Sequence, residues 1–160
     1  MLSPQERREI VEKTAAMRPG NMLMYYGCTG NNTDTTIDYV RHAKGAGADG
    51  AIIAAPSYIG ADNEAITDFM FEVLDSTDLA MGFYNNPPRV KTDLHWNDLL
   101  KLAKHDNMVV LKESTTRVGQ VAQVCRADLD IAVMCCCSPN LGLVIPTMAL
   151  GGHGTANMTG

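Results

Sequence analysis

No stretch of this chain approaches the roughly 20 consecutive apolar residues that a membrane helix requires. The N-terminus, Met-Leu-Ser-Pro-Gln-Glu-Arg-Arg, lacks the apolar segment that opens a secretory signal. A basic excess is missing too, because 13 Lys and Arg stand against 18 Asp and Glu, a net charge of −5. Such a field repels phosphate backbones and anionic lipid surfaces, so neither nucleic acid nor membrane is an expected partner. Paired, spaced cysteines are also absent. The five cysteines are odd in number, and Cys135, Cys136 and Cys137 are consecutive, unlike disulfide frameworks or zinc sites. A reducing cytoplasm is the expected location, with these three as small hydrophobes in a buried strand. The competing reading is metal binding, for which only Cys135 and Cys137 share a strand face. No Walker A loop, G-x-S-x-G elbow or H-E-x-x-H pattern occurs, which argues against NTPase, α/β-hydrolase and zincin chemistry. Asn31-Asn32-Thr33 is formally a glycosylation sequon that a cytoplasmic chain does not use.

The 160 residues, 46% of them hydrophobic, suffice for one core. Short apolar runs begin near Met22, Gly50, Leu79, Met108, Ile131 and Gly154, at steps of 28, 29, 29, 23 and 23 residues. That is the spacing of βα units. Between the runs lie helical patterns such as Ile66, Phe69, Met70, Val73 and Leu74, which form one apolar face. Ser3-Pro4-Gln5-Glu6 reads as a capping box, and Asp34 and Asp62 are expected to cap the next two helices. The runs are apolar without alternation, as in parallel strands covered on both faces. The class is α/β, either an open doubly wound sheet or a closed (βα)8 barrel. In Leu79–Tyr84 the alternate positions Ala80 and Gly82 are small and lead to a polar Tyr84, which suits the inward face of a barrel. The order α(βα)5β falls short of the roughly 250 residues of a barrel. Residues 1–160 are therefore expected to be a single, partial barrel domain, incomplete at both ends, whose open sheet leaves two unpaired edges.

Gly45-Ala-Gly47-Ala-Asp-Gly50 matches the dinucleotide fingerprint but closes a helix and precedes a strand, the reverse of the context that fingerprint needs. It reads as a helix C-cap and turn. Gly151-Gly-His153-Gly154 occupies the same context, which makes His153 a loop residue and not a ligand. Lys112 is more informative, since it ends the apolar run Met108-Val109-Val110-Leu111. Burial there would favour the neutral amine that attacks a carbonyl to form a Schiff base. Read alone, Lys112 serves equally as a structural salt bridge or a snorkelling lysine. One unit upstream, in Phe83-Tyr84-Asn85-Asn86-Pro87-Pro88-Arg89, Tyr84 ends its strand at the same rim and Arg89 stands in the loop beyond. A phenol that shuttles a proton and a guanidinium that grips a carboxylate suit an oxo acid.

Tyr-Asn-x-Pro-x-Arg, followed after one helix by Val-Leu-Lys112-Glu-Ser, resembles the dihydrodipicolinate synthase and N-acetylneuraminate lyase family of class I aldolases. Cys28-Thr29-Gly30-Asn31-Asn32 is similar to that family's G-T-G-x-N segment, and Ala55-Pro56-Ser57-Tyr58 to its T-P-Y-Y. The resemblance implies a (βα)8 TIM barrel, with this chain supplying its third to eighth strands. It implies that Lys112 forms the Schiff base with pyruvate or another 2-oxo acid, and that Tyr84 transfers protons above it. Tyr58 would enter a neighbouring subunit's site, making the protein a dimer or tetramer. Arg89 matches the arginine with which synthase members bind the second substrate's carboxylate, whereas the lyases generally lack it. No cofactor is implied.

Several positions depart from the family pattern. G-T-T-G-E has no counterpart, Pro139-Asn140-Leu141 stands where synthases carry G-D-D, and Lys91 replaces a usual glycine. Lysine-inhibited synthases use an asparagine, a glutamate and the first tyrosine of T-P-Y-Y. Asn32 keeps the first, but Thr36 and Ser57 stand at the other two. The expected reaction is condensation of pyruvate onto aspartate semialdehyde. The alternatives are an aldolase or dehydratase of 2-keto-3-deoxy sugar acids, or a non-catalytic incomplete barrel.

Overall fold

The computed structural model describes residues 2–136 and 142–156. Helix α1 spans Pro4–Ala16, followed by β1 Tyr25–Gly27, α2 Thr33–Gly45, β2 Gly50–Ala54, α3 Asn63–Asp75 and β3 Ala80–Asn85. Then come α4 Pro87–Val90, α5 Trp96–Leu102, β4 Met108–Glu113, α6 Val118–Cys125, β5 Ala132–Cys135, α7 Val144–Ala149 and β6 Gly154–Thr155. The six strands form one parallel sheet in the order β1-β2-β3-β4-β5-β6. Strand order follows chain order, so every crossover advances the sheet by one strand, as in a barrel.

Five of the six strands begin within one residue of the expected positions. The exception is β1, which starts at Tyr25 rather than near Met22. The Met22 amide is turned back onto the Pro19 carbonyl, and Met22 and Leu23 are exposed. Ser3 and Glu6 form the full capping box, with the Glu6 amide donating to Ser3 Oγ at 3.2 Å and the Ser3 amide to Glu6 Oε2 at 2.7 Å. Asp62 caps α3 by accepting from the Ala65 amide at 2.8 Å. Asp34 does not cap α2. That role falls to Asn32, whose extended backbone (φ −152°) lets Oδ1 accept from the Thr35 amide at 2.8 Å, leaving Asp34 in the first turn. Gly47 at φ +90° turns the chain from α2 into β2, so the glycine-rich stretch is the expected cap and turn.

The core lies between the helices and one face of the sheet. Ile66, Phe69, Met70, Val73 and Leu74 of α3 are all buried, against Ile53, Met81, Phe83, Leu111 and Val133 of the strands. Burying a side chain the size of Phe83 contributes on the order of 1.5–3 kcal/mol. The opposite face differs from expectation. Ile52, Ala54, Tyr84, Val110, Lys112, Ala132 and Met134 are only half-buried, so the strands are covered fully on one face, not on both. Among the described residues β1 and β6 do not pair, so the sheet is an open half-barrel whose would-be interior meets solvent.

Candidate active site

The half-barrel's inner face is set by strand alternation and register. Gly82 pairs with Ile52 on one side and Val110 on the other, and Tyr84 pairs with Ala54 and Lys112. A Cβ on Gly82 would lie 2.7 Å from Ile52 Cδ1 and 2.9 Å from the Val110 carbonyl oxygen. Only glycine fits between these neighbours.

Because Tyr84 and Lys112 are register partners on the same face, their side chains meet. Lys112 Nζ stands 4.0 Å from the centroid of the Tyr84 ring, a cation–π geometry. Burial raises the pKa of the Tyr84 phenol, and Cys136 adds to the rise; Ser114 and the Arg89 guanidinium pull it down without cancelling it. Phenol, amine and guanidinium thus share the rim at the C-terminal ends of β3 and β4.

Arg89 does not sit in a loop. It lies on the short helix α4, opened by Pro87, and its side chain is exposed at the rim. Lys91 ends that helix in the left-handed region at φ +65°, a conformation that explains why glycine is usual there. Tyr58 is 97% exposed with φ +78°, almost free of contact with its own chain, so this chain does not bring it to Tyr84 and Lys112. His153 immediately precedes β6, and its Nδ1 accepts from the Val133 amide at 3.1 Å. Cys135 ends β5 fully buried and Cys136 follows half-buried; Cys137 and Pro139-Asn140-Leu141 lie outside the described residues. Among the described residues, no group of three His, Cys, Asp or Glu side chains could hold a metal.

The sequence motifs contain Asn85 and Glu113 but did not disclose that they meet behind the rim. Glu113 is fully buried on the helix-facing side of β4, opposite Asn85. Its Oε2 accepts from Gln120 Nε2 at 2.7 Å and Asn85 Nδ2 at 3.1 Å, and its Oε1 from the Thr115 amide at 2.8 Å. Asn85 is fixed in turn by Leu94, whose amide donates to Oδ1 at 3.2 Å and whose carbonyl accepts from Nδ2 at 3.1 Å. Asp93 joins from the same segment, ion-paired with Arg117. Burial pushes the Asp93 carboxyl up, but hydrogen bonds from Arg117 and Asn85 outweigh it and hold the pKa below the ordinary value. The one signal in the sequence was a carboxylate directly after Lys112 at the end of an apolar run.

A separate cavity of about 180 Å³ opens between α1, β1 and α2, lined by Arg7, Val11, Tyr26, Tyr39 and His42 among others. It contains none of Tyr84, Arg89 or Lys112.

Residues 1–160 match the dihydrodipicolinate synthetase family throughout. The chain belongs to that family. It is 31% identical over 159 residues to the 4-hydroxy-tetrahydrodipicolinate synthase of Methanosphaerula palustris, covering 98% of this chain and 53% of that protein. The enzyme of the same name from Gluconacetobacter diazotrophicus is 31% identical over 158 residues, with 99% and 53% covered. Among solved structures, dihydrodipicolinate synthase from Aquifex aeolicus superposes with a TM-score of 0.88 at 27% identity, over 97% of this chain and 53% of that one. A prophage protein of the dihydrodipicolinic acid synthase family from E. coli K12, in complex with pyruvate, gives 0.88 at 25% identity, over 98% and 53%. The chain therefore spans about half the length of the relatives it matches, and its six strands are part of a (βα)8 barrel.

Proposed function

We propose that this family member is a Schiff-base lyase or synthase that condenses pyruvate with an aldehyde, in the manner of 4-hydroxy-tetrahydrodipicolinate synthase. The observation that carries the reading is the pairing of Lys112 with Tyr84, amine over phenol ring, at the C-terminal rim where barrel enzymes build their sites. In this reading the Lys112 amine attacks C2 of pyruvate, the carbonyl oxygen leaves as water, and the imine loses a methyl proton to give an enamine that adds to the aldehyde. Tyr84 carries protons to and from these atoms, and its burial favours the protonated phenol, which is ready to donate. Arg89 binds the carboxylate of the second substrate, and its presence favours aspartate semialdehyde over a 2-keto-3-deoxy sugar acid.

The exposure of Tyr58 supports its insertion into a neighbouring subunit's site, so we read the native protein as a cytoplasmic homodimer or homotetramer. Light scattering on the active protein tests this, and a fully active monomer would remove the role given to Tyr58. For the chemistry, the decisive measurement is reductive trapping. Borohydride with pyruvate should add a pyruvate-derived mass to the peptide containing Lys112 in the native full-length protein, while adduct elsewhere, or none, defeats the proposal.

A further inference from the structure

We infer that Glu113, held by Asn85 and Gln120, is a positioning residue that sets the approach of Lys112 to Tyr84. The inference rests on the Schiff-base reading above and adds to it the group that aligns the two rim residues. Successive strand residues point to opposite faces, so the pair Tyr84–Lys112 on the inner face is followed at once by the pair Asn85–Glu113 on the helix-facing side of the same two strands. Fixing the second pair fixes the first. The Asn85 carbonyl also accepts from the Ser114 amide at 3.1 Å and hydroxyl at 2.9 Å, while the Glu113 carbonyl accepts from the Cys136 amide at 2.9 Å. One residue pair therefore ties the ends of β3, β4 and the segment leaving β5.

The carboxyl also reaches beyond the strands. Gln120 Nε2 donates both to Glu113 and to the Leu94 carbonyl, at 2.7 and 3.1 Å, and Gln120 Oε1 accepts from Arg117 Nη2 at 3.0 Å. Through Leu94 and Asp93 the network clamps the far end of the segment that carries Arg89. Every neighbour facing the Glu113 carboxyl oxygens is a donor: Asn85 Nδ2, Gln120 Nε2 and the Thr115 amide. An amide at this position must turn its NH2 toward one of them, and Asn85 cannot flip to accept because Leu94 fixes both ends of its carboxamide. A buried network of this kind holds one geometry when every member is satisfied and loosens when one is not.

The test compares Glu113→Gln with the exchange E113Q/Q120E in the native full-length protein, where the exchanged pair restores one carboxyl facing one carboxamide and gives up only the Gln120 bond to the Leu94 carbonyl, which Asn85 still holds. Three quantities are read: the rate of borohydride-trapped imine on Lys112, the pyruvate concentration for half-saturation, and thermal stability. E113Q should slow trapping at least tenfold with half-saturation changed less than threefold, and the exchange should recover most of the rate. Trapping at the wild-type rate in E113Q, or an exchange that recovers stability without recovering the rate, overturns the inference. If E113Q does not fold, Gln120→Met leaves the carboxyl in place, removes its 2.7 Å donor together with the Gln120 bonds to the Leu94 carbonyl and Arg117, and should slow trapping severalfold; an unchanged rate overturns the inference equally. If the native protein traps no pyruvate, the Schiff-base reading fails, and the positioning role is decided without substrate. Ring-labelled tyrosine NMR then follows the Tyr84 phenol, whose titration should move down toward that of an exposed tyrosine in E113Q; an unmoved titration refutes the role.

Discussion

Lys112 stands over the ring of Tyr84 because Gly82, two residues before Tyr84, leaves no side chain to separate β3 from its neighbours on the inner face. Ile52 and Val110 fill the space that a Cβ would occupy, and the next inward pair along the same two strands is Tyr84–Lys112. The amine–phenol contact is thus a consequence of strand register, not of loop conformation.

Tyr84→Phe separates the two roles of that ring. The aromatic face remains beneath Lys112, so pyruvate should still be trapped there, while overall turnover falls roughly 10²- to 10⁴-fold for want of the proton donor. A stability effect accompanies it. The folded phenol has a pKa raised above the value of about 10 in an unfolded chain. A group that holds its proton more tightly when folded contributes fully below about pH 10, and that contribution disappears as pH climbs through the folded value. The difference in urea-unfolding stability between the native protein and Tyr84→Phe should therefore be flat to about pH 10 and decline above it.

Arg89→Ala should leave imine formation with pyruvate intact and raise KM for the second substrate. A charge-assisted hydrogen bond to a carboxylate is worth roughly 1.5–3 kcal/mol, which corresponds to about ten- to hundredfold. Steady-state kinetics with each substrate varied in turn checks this. An equal loss for pyruvate would move Arg89 into the first half-reaction.

The fold was legible where the signal was periodic. The 3.6-residue spacing of Ile66 to Leu74 and the alternation of Ala80, Gly82 and Tyr84 both report which side of an element faces apolar surroundings, and both faces lie where expected. The cap of α2 was less legible, because Asn32 and Asp34 are both good caps and only the backbone turn at Asn32 chooses between them. Helix α4 was hidden by its own composition, since Pro87-Pro88 reads as loop although proline suits a helix's first turn. The network behind the rim was not legible. Asn85 and Glu113 lie inside the tyrosine and lysine motifs, but 28 residues separate them and Gln120 is 7 further on, so their contact is assembled only by register and burial.

Lys91→Gly should stabilise the protein. A side chain at φ +65° costs roughly 1–2 kcal/mol against glycine, offset by the roughly 0.5–1 kcal/mol of extra freedom that glycine gains in the unfolded chain. A net gain of about 0.5–1 kcal/mol is expected, visible as a higher denaturant midpoint with an unchanged m-value. Lys91→Ala, which keeps the Cβ, should bring no comparable gain.

Millimolar lysine should leave the activity of the native enzyme nearly unchanged. In the lysine-inhibited synthases that the sequence resembles, an asparagine, a glutamate and a tyrosine hold the ligand. Here Asn32 is occupied as the cap of α2, its Oδ1 accepting from the Thr35 amide. Thr36, which stands at the glutamate's position, is fully buried, and its hydroxyl accepts from the Gly30 amide at 3.0 Å while donating to the Asn32 carbonyl at 2.8 Å. It offers no carboxylate, and its hydroxyl is buried away from any ammonium ion arriving from solvent. Ser57, at the tyrosine's position, is exposed and has no ring to cover the ligand's methylene chain. Loss of the charged partner alone removes roughly 1.5–3 kcal/mol, or about one to two decades of affinity. Initial rates with and without lysine check the expectation. Strong inhibition at millimolar concentration would mean that another carboxylate receives the ammonium, and Asp34, exposed in the first turn of α2, is then the residue to substitute.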